Sequence, residues 1–174
     1  MVTRSGGTTR RRRAVVALLL VLAATAGCGR PSGAGPALSG TTGPGIGEPA
    51  RDGMFEFTVL GVRCGVARVE AVPPPQGRFC LVDIRVRNVG TEPRTVWSGA
   101  QDLYAGDRRY DADDRATLAV GPPGRQLWIL PVNPGNSVDG ELAFDVPPGT
   151  RPDRVRLHDS AFSGGVDVRL GHGD

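Results

Sequence analysis

The sequence predicts an all-β domain, an antiparallel β-sandwich, preceded by an export signal and a tether. Three observations support this prediction. Apolar and polar residues alternate at every second position in five segments after residue 50, which is the period of a strand with one buried face. Clusters of Gly, Pro and Asn separate these segments, and no comparable helical periodicity occurs there. Short strands with one apolar face can bury that face only when two sheets cover each other.

The first 27 residues have the three parts of a bacterial lipoprotein signal peptide. Residues 10–13 are four arginines, and residues 14–26 form an apolar stretch that is too short for a permanent membrane-spanning helix. Small residues then precede Cys28, as in a lipobox, although Thr25 stands where leucine is commonest. Cys28 is therefore the predicted lipidation site, carrying acyl chains such as palmitate. The alternative is an ordinary secretory peptide with an incidental cysteine, and the arginines leave both general secretory and twin-arginine export open.

Residues 28–50 are predicted to be the lipid anchor and a flexible tether. Gly, Pro, Ser, Thr and Ala dominate this segment, so it lacks the apolar surface that would offset the entropy of ordering it. About 20 such residues span roughly 25 Å on average. The predicted organisation is a signal peptide over 1–27, the anchor and tether over 28–50, and the sandwich over 51–171, on the extracytoplasmic face of the cell membrane.

The formal net charge of +3 is positive because of the arginines in the leader. All 21 basic residues are arginines, five of them precede Cys28, and none of the 18 acidic residues does. The mature chain therefore keeps 16 arginines and has a formal net charge of −2. This balance gives no support for nucleic-acid binding.

The predicted strands and turns follow in chain order. The alternating segments are residues 55–59, 80–87, 138–146, 154–158 and 166–170. Residues 126–130 are a further predicted strand, apolar on both faces. The turns between strands are residues 88–90, 121–124, 133–136 and 147–149. Pro134 and Gly135 suit a type II turn, because proline presets the first central φ and glycine adopts the positive second one.

The order of these motifs carries a family resemblance. The motifs are MFEFTV (54–59), DIRVRNVG (83–90), QDLY (101–104), NPG (133–135), FDVP (144–147) and LHDSAFSGGV (157–166). Over roughly residues 51–170, the chain resembles a domain of unknown function that is common in secreted lipoproteins of Gram-positive bacteria. That family shares the immunoglobulin-like fold of a secreted mycobacterial immunoprotective antigen. The resemblance therefore implies an immunoglobulin-like β-sandwich, and it implies no catalytic residue.

Cys64 and Cys80 are the two cysteines that remain once Cys28 is lipidated. In an oxidising compartment they are expected to form a disulfide, with a chain-entropy stabilisation of about 3 kcal/mol. Cys80 shares the parity of Val82 and Ile84, so its thiol is predicted to point toward the core. The alternative is two separately buried thiols.

Catalytic motifs are scarce, and no cofactor is predicted. Without lysine the chain has no Walker A motif, no S-x-x-K nucleophile and no Schiff base. Residues 135–139 imitate a nucleophile elbow but lack its last glycine. His158 and His172 are both expected at the surface, and no His/Cys cluster has zinc spacing.

Residues 102–114 contain five aspartates. They are Asp102, Asp107, Asp111, Asp113 and Asp114. The glycine and distal glutamate of an EF-hand loop are missing, and arginines are interleaved. The segment is therefore predicted to be a solvated hairpin with local ion pairs and no metal, while calcium binding is the alternative.

The sequence favours a non-enzymatic binding module for an envelope protein, polymer or small ligand. The alternative is an envelope hydrolase or metal-dependent enzyme whose carboxylates converge in the fold. Trp128 and Leu130 are the candidate binding residues, because they face outward if the neighbouring Leu127 and Ile129 face the core. The other interpretation is that the connection over residues 107–123 covers them.

Overall fold

Two four-stranded antiparallel sheets pack face to face. The computed structural model describes residues 43–74, 76–120 and 127–171. The strands are β1 (Pro49–Asp52), β2 (Phe55–Val66), β3 (Arg78–Asn88), β4 (Asp102–Ala105), β5 (Arg108–Asp111), β6 (Ser137–Val146), β7 (Arg154–Leu157) and β8 (Val166–Arg169). The first sheet has the order β1-β2-β3-β6, and the second has the order β5-β4-β7-β8. The all-β, antiparallel immunoglobulin-like sandwich is confirmed.

The core lies between the two sheets and follows the predicted alternation. Phe55, Phe57 and Val59 of β2 are fully buried, whereas their neighbours Glu56 and Thr58 are partly exposed. Residues 82–88 of β3 and strand β7 alternate in the same way, whereas residues 79–82 of β3 and 142–144 of β6 are buried without alternation. Each large apolar side chain moved from water into this core contributes about 1.5–3 kcal/mol.

A second apolar cluster lies on the outer face of the first sheet. Phe79 and Leu81 point away from the main core, yet they are buried together with Ala143 of β6. Ala116 of helix α1 (Asp114–Ala119) packs over this cluster. The sequence does not predict this helix. Six residues are too short for a recognisable helical stripe, so packing rather than periodicity establishes this helix.

The predicted strand over residues 126–130 is wrong in its described part. Residues 127–130 form turns, so side chains there do not alternate between faces. Leu127 is buried against Gly140, where a Cβ atom would come within 2.5 Å of a Leu127 methyl carbon. Contact with β6, not strand pairing, therefore determines this segment's conformation.

The disulfide joins neighbouring strands of the first sheet. Cys64 of β2 is bonded to Cys80 of β3, and the two Cα atoms are 4.0 Å apart. Cys80 is fully buried and continues the inward row of Val82 and Ile84, while Cys64 lies at the exposed end of β2.

One end of the sandwich, which we call the apical end, gathers three loops. They are the β1–β2 turn (residues 53–54), the β3–β4 loop (89–101) and the β7–β8 loop (158–165). The backbone N–H of Asp159 donates to the Asp52 carboxylate at 2.7 Å, which joins the β7–β8 loop to the end of β1. The opposite, basal end carries the β4–β5 turn and the β6–β7 loop.

The described chain enters the fold beside β8. The N–H of Arg169 donates to the Pro44 carbonyl at 2.8 Å, and Gly45 forms a parallel bridge with Arg169. Strand β1 then begins at Pro49, whereas the sequence places the start of the domain at residue 51. Within the described ranges, no helix is both long enough and apolar enough to cross a membrane.

The leader (1–27), the lipidation site Cys28 and most of the tether lie outside the described residues. So do the predicted turn over 121–124 and His172.

Candidate functional site

A groove of about 590 Å³ opens at the apical end. Its wall combines the β3–β4 loop, helix α1, the segment after residue 126 and the β7–β8 loop. Its apolar lining includes Trp97, Leu118, Trp128 and Ile129. Trp97 exposes 65% of its surface and Leu118 exposes 55%, so the groove offers accessible apolar area.

Gln101 holds Trp97 in place. This fully buried side chain donates from Nε2 to the Trp97 carbonyl at 2.8 Å and accepts the N–H of His158 at 2.8 Å. It therefore connects the β3–β4 loop with the β7–β8 loop across the apical end. A buried amide with its donor and acceptor both satisfied makes this loop arrangement rigid.

Trp128 forms the floor of the groove. Its side chain is 8% exposed, and its Nε1 donates to the Glu141 carbonyl of β6 at 3.2 Å. An outward-facing Trp128 is thus contradicted, because the turn at 127–130 places the indole against the sheet. Leu130 is exposed as expected, and so is Ile129, for which the alternation argument predicted burial. The binding role assigned to Trp128 and Leu130 stays a prediction.

Ser98 and Asp114 supply the polar contact inside the groove. The Ser98 hydroxyl donates to the Asp114 carboxylate at 2.6 Å, which joins the β3–β4 loop to the first turn of α1. A Cβ atom on the adjacent Gly99 would come within 3.2 Å of that carboxylate. Much of the hydrogen-bonding capacity here is therefore used within the protein.

The apical end bears further exposed apolar side chains. Phe162 lies at the tip of the β7–β8 loop and is 99% exposed. The Ser163 hydroxyl donates to the Ser160 carbonyl at 2.9 Å, forming the turn that carries Phe162. Met54 in the β1–β2 turn is also exposed. The sequence indicates the exposure of Phe162, because this aromatic residue lies among Ser and Gly residues in a loop and not in a strand that could bury it.

His158 is largely buried, so its predicted surface position is wrong. Its Nδ1 lies 3.2 Å from the Ser163 carbonyl, and its Nε2 lies 3.9 Å from the Asp102 carboxylate. Gly165 has a φ of +71°, and a Cβ atom there would come within 2.6 Å of the imidazole. Parity placed the side chain on the outer face of β7, but the β7–β8 loop folds back over that face.

Asp102, His158 and Ser163 bring a carboxylate, an imidazole and a hydroxyl together. The Ser163 Oγ is 3.4 Å from the imidazole Nδ1, whereas it donates to the Ser160 carbonyl over a shorter distance. Burial raises the pKa of Asp102 above its ordinary value. A nucleophilic serine donates its hydroxyl hydrogen bond to the base. Here the Ser163 hydroxyl donates to the Ser160 carbonyl instead, so this hydrogen bond orders the loop and does not activate the serine.

Four of the five aspartates, Asp102, Asp111, Asp113 and Asp114, contact protein groups. β4 and β5 form the predicted hairpin, in which Arg109 pairs with Asp102 and Asp111 at 3.9 and 3.1 Å. Asp113 caps α1 by accepting the Ala116 N–H at 2.8 Å. In the part of the chain that the structure describes, no three His, Cys, Asp or Glu residues are grouped so as to hold a metal ion.

The outer face of the second sheet is covered by mutual ion pairs. Arg156 binds the Asp167 carboxylate through two hydrogen bonds of 2.7 and 2.9 Å, and these hold the pKa of Asp167 below its ordinary value. The Arg154 guanidinium lies 4.2 Å from the centre of the Tyr104 ring. Because these charges neutralise one another, this face offers an external ligand fewer accessible binding groups than the apical end does.

Comparison with known proteins identifies the fold and the family. The YjhA protein from Bacillus subtilis aligns over 73% of this chain and 99% of its own, with a TM-score of 0.56 and 17% identity. The secreted protein MPT63 from Mycobacterium tuberculosis aligns over 74% of this chain and 96% of its own, with a TM-score of 0.51 and 14% identity. A functionally unknown protein from Listeria monocytogenes EGD-e aligns over 73% of this chain and 83% of its own, with a TM-score of 0.51 and 11% identity.

Sequence comparison gives the family assignment. No curated protein has a significantly matching sequence. The profile described as Domain of unknown function (DUF4352) matches residues 44–168, which include all eight strands except the last residue of β8. The chain therefore belongs to the DUF4352 family.

Proposed function

We propose that the protein is a lipid-anchored, extracytoplasmic interaction module that binds through its apical end and is not an enzyme. The groove carries this proposal, because its apolar side chains converge from several loops while Trp97 remains 65% exposed. Exposed apolar surface on a water-facing domain marks an interaction site. Tryptophan suits such a site, since it combines a large contact area with an N–H donor.

The extracytoplasmic location rests on the sequence. Cys28 follows a basic and apolar leader with a lipobox, and the Cys64–Cys80 disulfide suits an oxidising compartment. The similarly folded MPT63 is described as a secreted protein, which agrees with this location. The proposed partners are the membrane, which the protein contacts through the lipid on Cys28, and an envelope protein, polymer or small ligand bound at the apical end.

The anchor is tested by Cys28→Ser. The variant should lose incorporation of labelled palmitate and be released or left uncleaved, because it lacks the thiol that is acylated. Cys64→Ser is the matched control and should be labelled normally. Equal labelling of wild type and Cys28→Ser would contradict the anchor.

The binding surface is tested with a photoreactive benzoylphenylalanine at Leu118, which lines the groove. Leu60 is the control, since it is exposed on β2 and absent from the groove lining. Irradiation of intact cells should yield a covalent adduct from position 118 and none from position 60. Equal adducts from both positions, or none from either, would contradict a binding site at the apical end.

An envelope hydrolase is the alternative function. The observation that favours it is the proximity of Asp102, His158 and Ser163. Labelling by a fluorophosphonate probe that disappears in Ser163→Ala would support this alternative.

A further inference from the structure

The described lining of the apical groove contains one charged side chain, that of Asp114. This residue is exposed, and its carboxylate accepts a hydrogen bond of 2.6 Å from the hydroxyl of Ser98, which is itself 8% exposed. The adjacent Gly99 lies against the same carboxylate and has no side chain that would cover it. The groove therefore presents a negative charge that is held in place and remains accessible.

No basic side chain of the described residues forms an ion pair with Asp114. Elsewhere on the domain, arginines pair with carboxylates, as Arg85 does with Asp139 at 2.7 Å. The described lining of the groove contains no arginine. The charge of Asp114 is thus left for a group from outside the described fold.

A cation would gain from two neighbouring groups of the groove. Trp97 precedes Ser98, which contacts Asp114, so the indole and the carboxylate border the groove close to one another. A cation is attracted both to a carboxylate and to the face of an aromatic ring. An apolar or anionic ligand that covered Asp114 would remove its water without replacing it, which is unfavourable. The charge of the groove therefore selects a positively charged ligand.

The rest of the lining indicates apolar groups beside that cation. Leu118 and Ile129 are 55% and 56% exposed, so they offer apolar surface on the groove wall. Thr95 and Ser98 are the other polar side chains of the described lining, and the Ser98 hydroxyl is already bonded to Asp114. A saccharide with many hydroxyl groups would find few partners here. Sites for small molecules bury most of their ligand, whereas walls this exposed suit a chain segment lying across the groove.

We propose that the apical groove binds a segment of a partner polypeptide that directs a lysine or arginine side chain to Asp114 and Trp97. Apolar side chains next to that basic residue cover Leu118 and Ile129. This inference rests on the proposed function, in which the apical end is a binding surface, and it specifies the chemistry of the partner.

The test uses photoreactive peptides and the unlipidated mature chain, residues 28–174 with Cys28→Ser. The probe is the capped pentapeptide glycine–photoleucine–lysine–leucine–glycine, and matched peptides carry glutamine or glutamate in place of lysine. On irradiation, the lysine peptide should label the groove residues roughly fivefold more than the glutamine peptide does, as expected for one accessible ion pair with a cation–π contact. The glutamate peptide should label them least. Peptide mapping by mass spectrometry locates the adducts.

Asp114→Asn should reduce labelling by the lysine peptide to the level of the glutamine peptide. The asparagine oxygen can still accept the Ser98 hydroxyl, so the loop and helix α1 should stay in place. Asp107→Asn is the matched control, because it removes the same charge from an exposed turn outside the groove and should leave labelling unchanged. Near-ultraviolet circular dichroism verifies that each variant is folded.

Equal labelling by the lysine and glutamine peptides would overturn the basic partner, and so would a preference for lysine that survives Asp114→Asn. In intact cells, the adduct from benzoylphenylalanine at position 118 should add the mass of a polypeptide and should weaken in Asp114→Asn. An adduct that keeps its yield in this variant, or that adds only the mass of a small molecule, would overturn the inference and leave binding at the apical end standing. Absence of any adduct from position 118 contradicts the proposed function itself.

Discussion

At the scale of single residues, the two tryptophans show how neighbours determine the role of a side chain. Trp128 is buried because its turn places the indole on β6, where the Glu141 carbonyl accepts its N–H. Trp97 stays exposed because Gln101 binds its backbone carbonyl and leaves the ring outside. The same residue type therefore supplies packing in one position and accessible apolar surface in the other.

Trp128→Ala and Trp97→Ala should therefore differ in stability. Replacing the buried Trp128 should lower the free energy of unfolding by about 3–5 kcal/mol, because it leaves a cavity beneath the groove. Replacing the exposed Trp97 should change the unfolding free energy by no more than about 0.5 kcal/mol. Urea denaturation followed by circular dichroism measures both. A Trp128→Ala variant as stable as wild type would contradict the buried position.

At the scale of secondary-structure elements, the short helix α1 depends on its surroundings. Its six residues cannot form a stable helix alone, so the Asp113 cap and the packing of Ala116 on the first sheet hold it. The Thr117 hydroxyl accepts the N–H of Ala143 at 3.0 Å and attaches the helix to β6. Because Leu118 lines the groove, the position of this helix also shapes the candidate site.

Asp113→Ala tests this element and the calcium alternative together. Loss of the cap should cost about 0.5–2 kcal/mol of unfolding free energy. Asp107→Ala, in the exposed β4–β5 turn, is the control and should cost less. Millimolar calcium should leave the melting temperature of the wild type unchanged, because Asp113 and Asp114 are already engaged with protein donors. A calcium-dependent rise that disappears in Asp113→Ala would establish a calcium site.

At the scale of the whole molecule, the two sheets are joined by their core rather than by a covalent link. The Cys64–Cys80 disulfide lies within the first sheet, between β2 and β3. Val82 and Ile84 of the first sheet and Val155 and Leu157 of the second belong to one buried apolar core. The disulfide should therefore affect stability without being required for the fold.

Replacing both cysteines by alanine should reduce the free energy of unfolding by about 2–5 kcal/mol and leave the far-ultraviolet circular dichroism unchanged. The cause is the greater freedom of the unfolded chain between residues 64 and 80. Peptide mapping without reductant should recover Cys64 joined to Cys80 from the wild-type protein. Two thiols that react with an alkylating agent in the native protein would contradict the bridge.

The sequence alone predicted the elements that depend on neighbouring residues. Alternation located the core strands, because the residues of a strand's buried face recur at every second position. The β4–β5 hairpin and the turn at Gly135, whose φ is +79°, follow from local turn chemistry. Cys80 was placed on the inward face by the same local argument.

Only the tertiary structure decided the composition of the candidate site. Trp97, Leu118 and Ile129 are separated by many residues in sequence and meet because the β3–β4 loop, helix α1 and the turn at 127–130 converge. His158 is covered by a loop that returns over its strand, and Trp128 is held by β6, so residue parity failed at both positions. The parallel entry of Gly45 beside β8 is likewise a long-range pairing. Strand periodicity is a local property, whereas a surface assembled from loops depends on contacts between distant segments that no local pattern records.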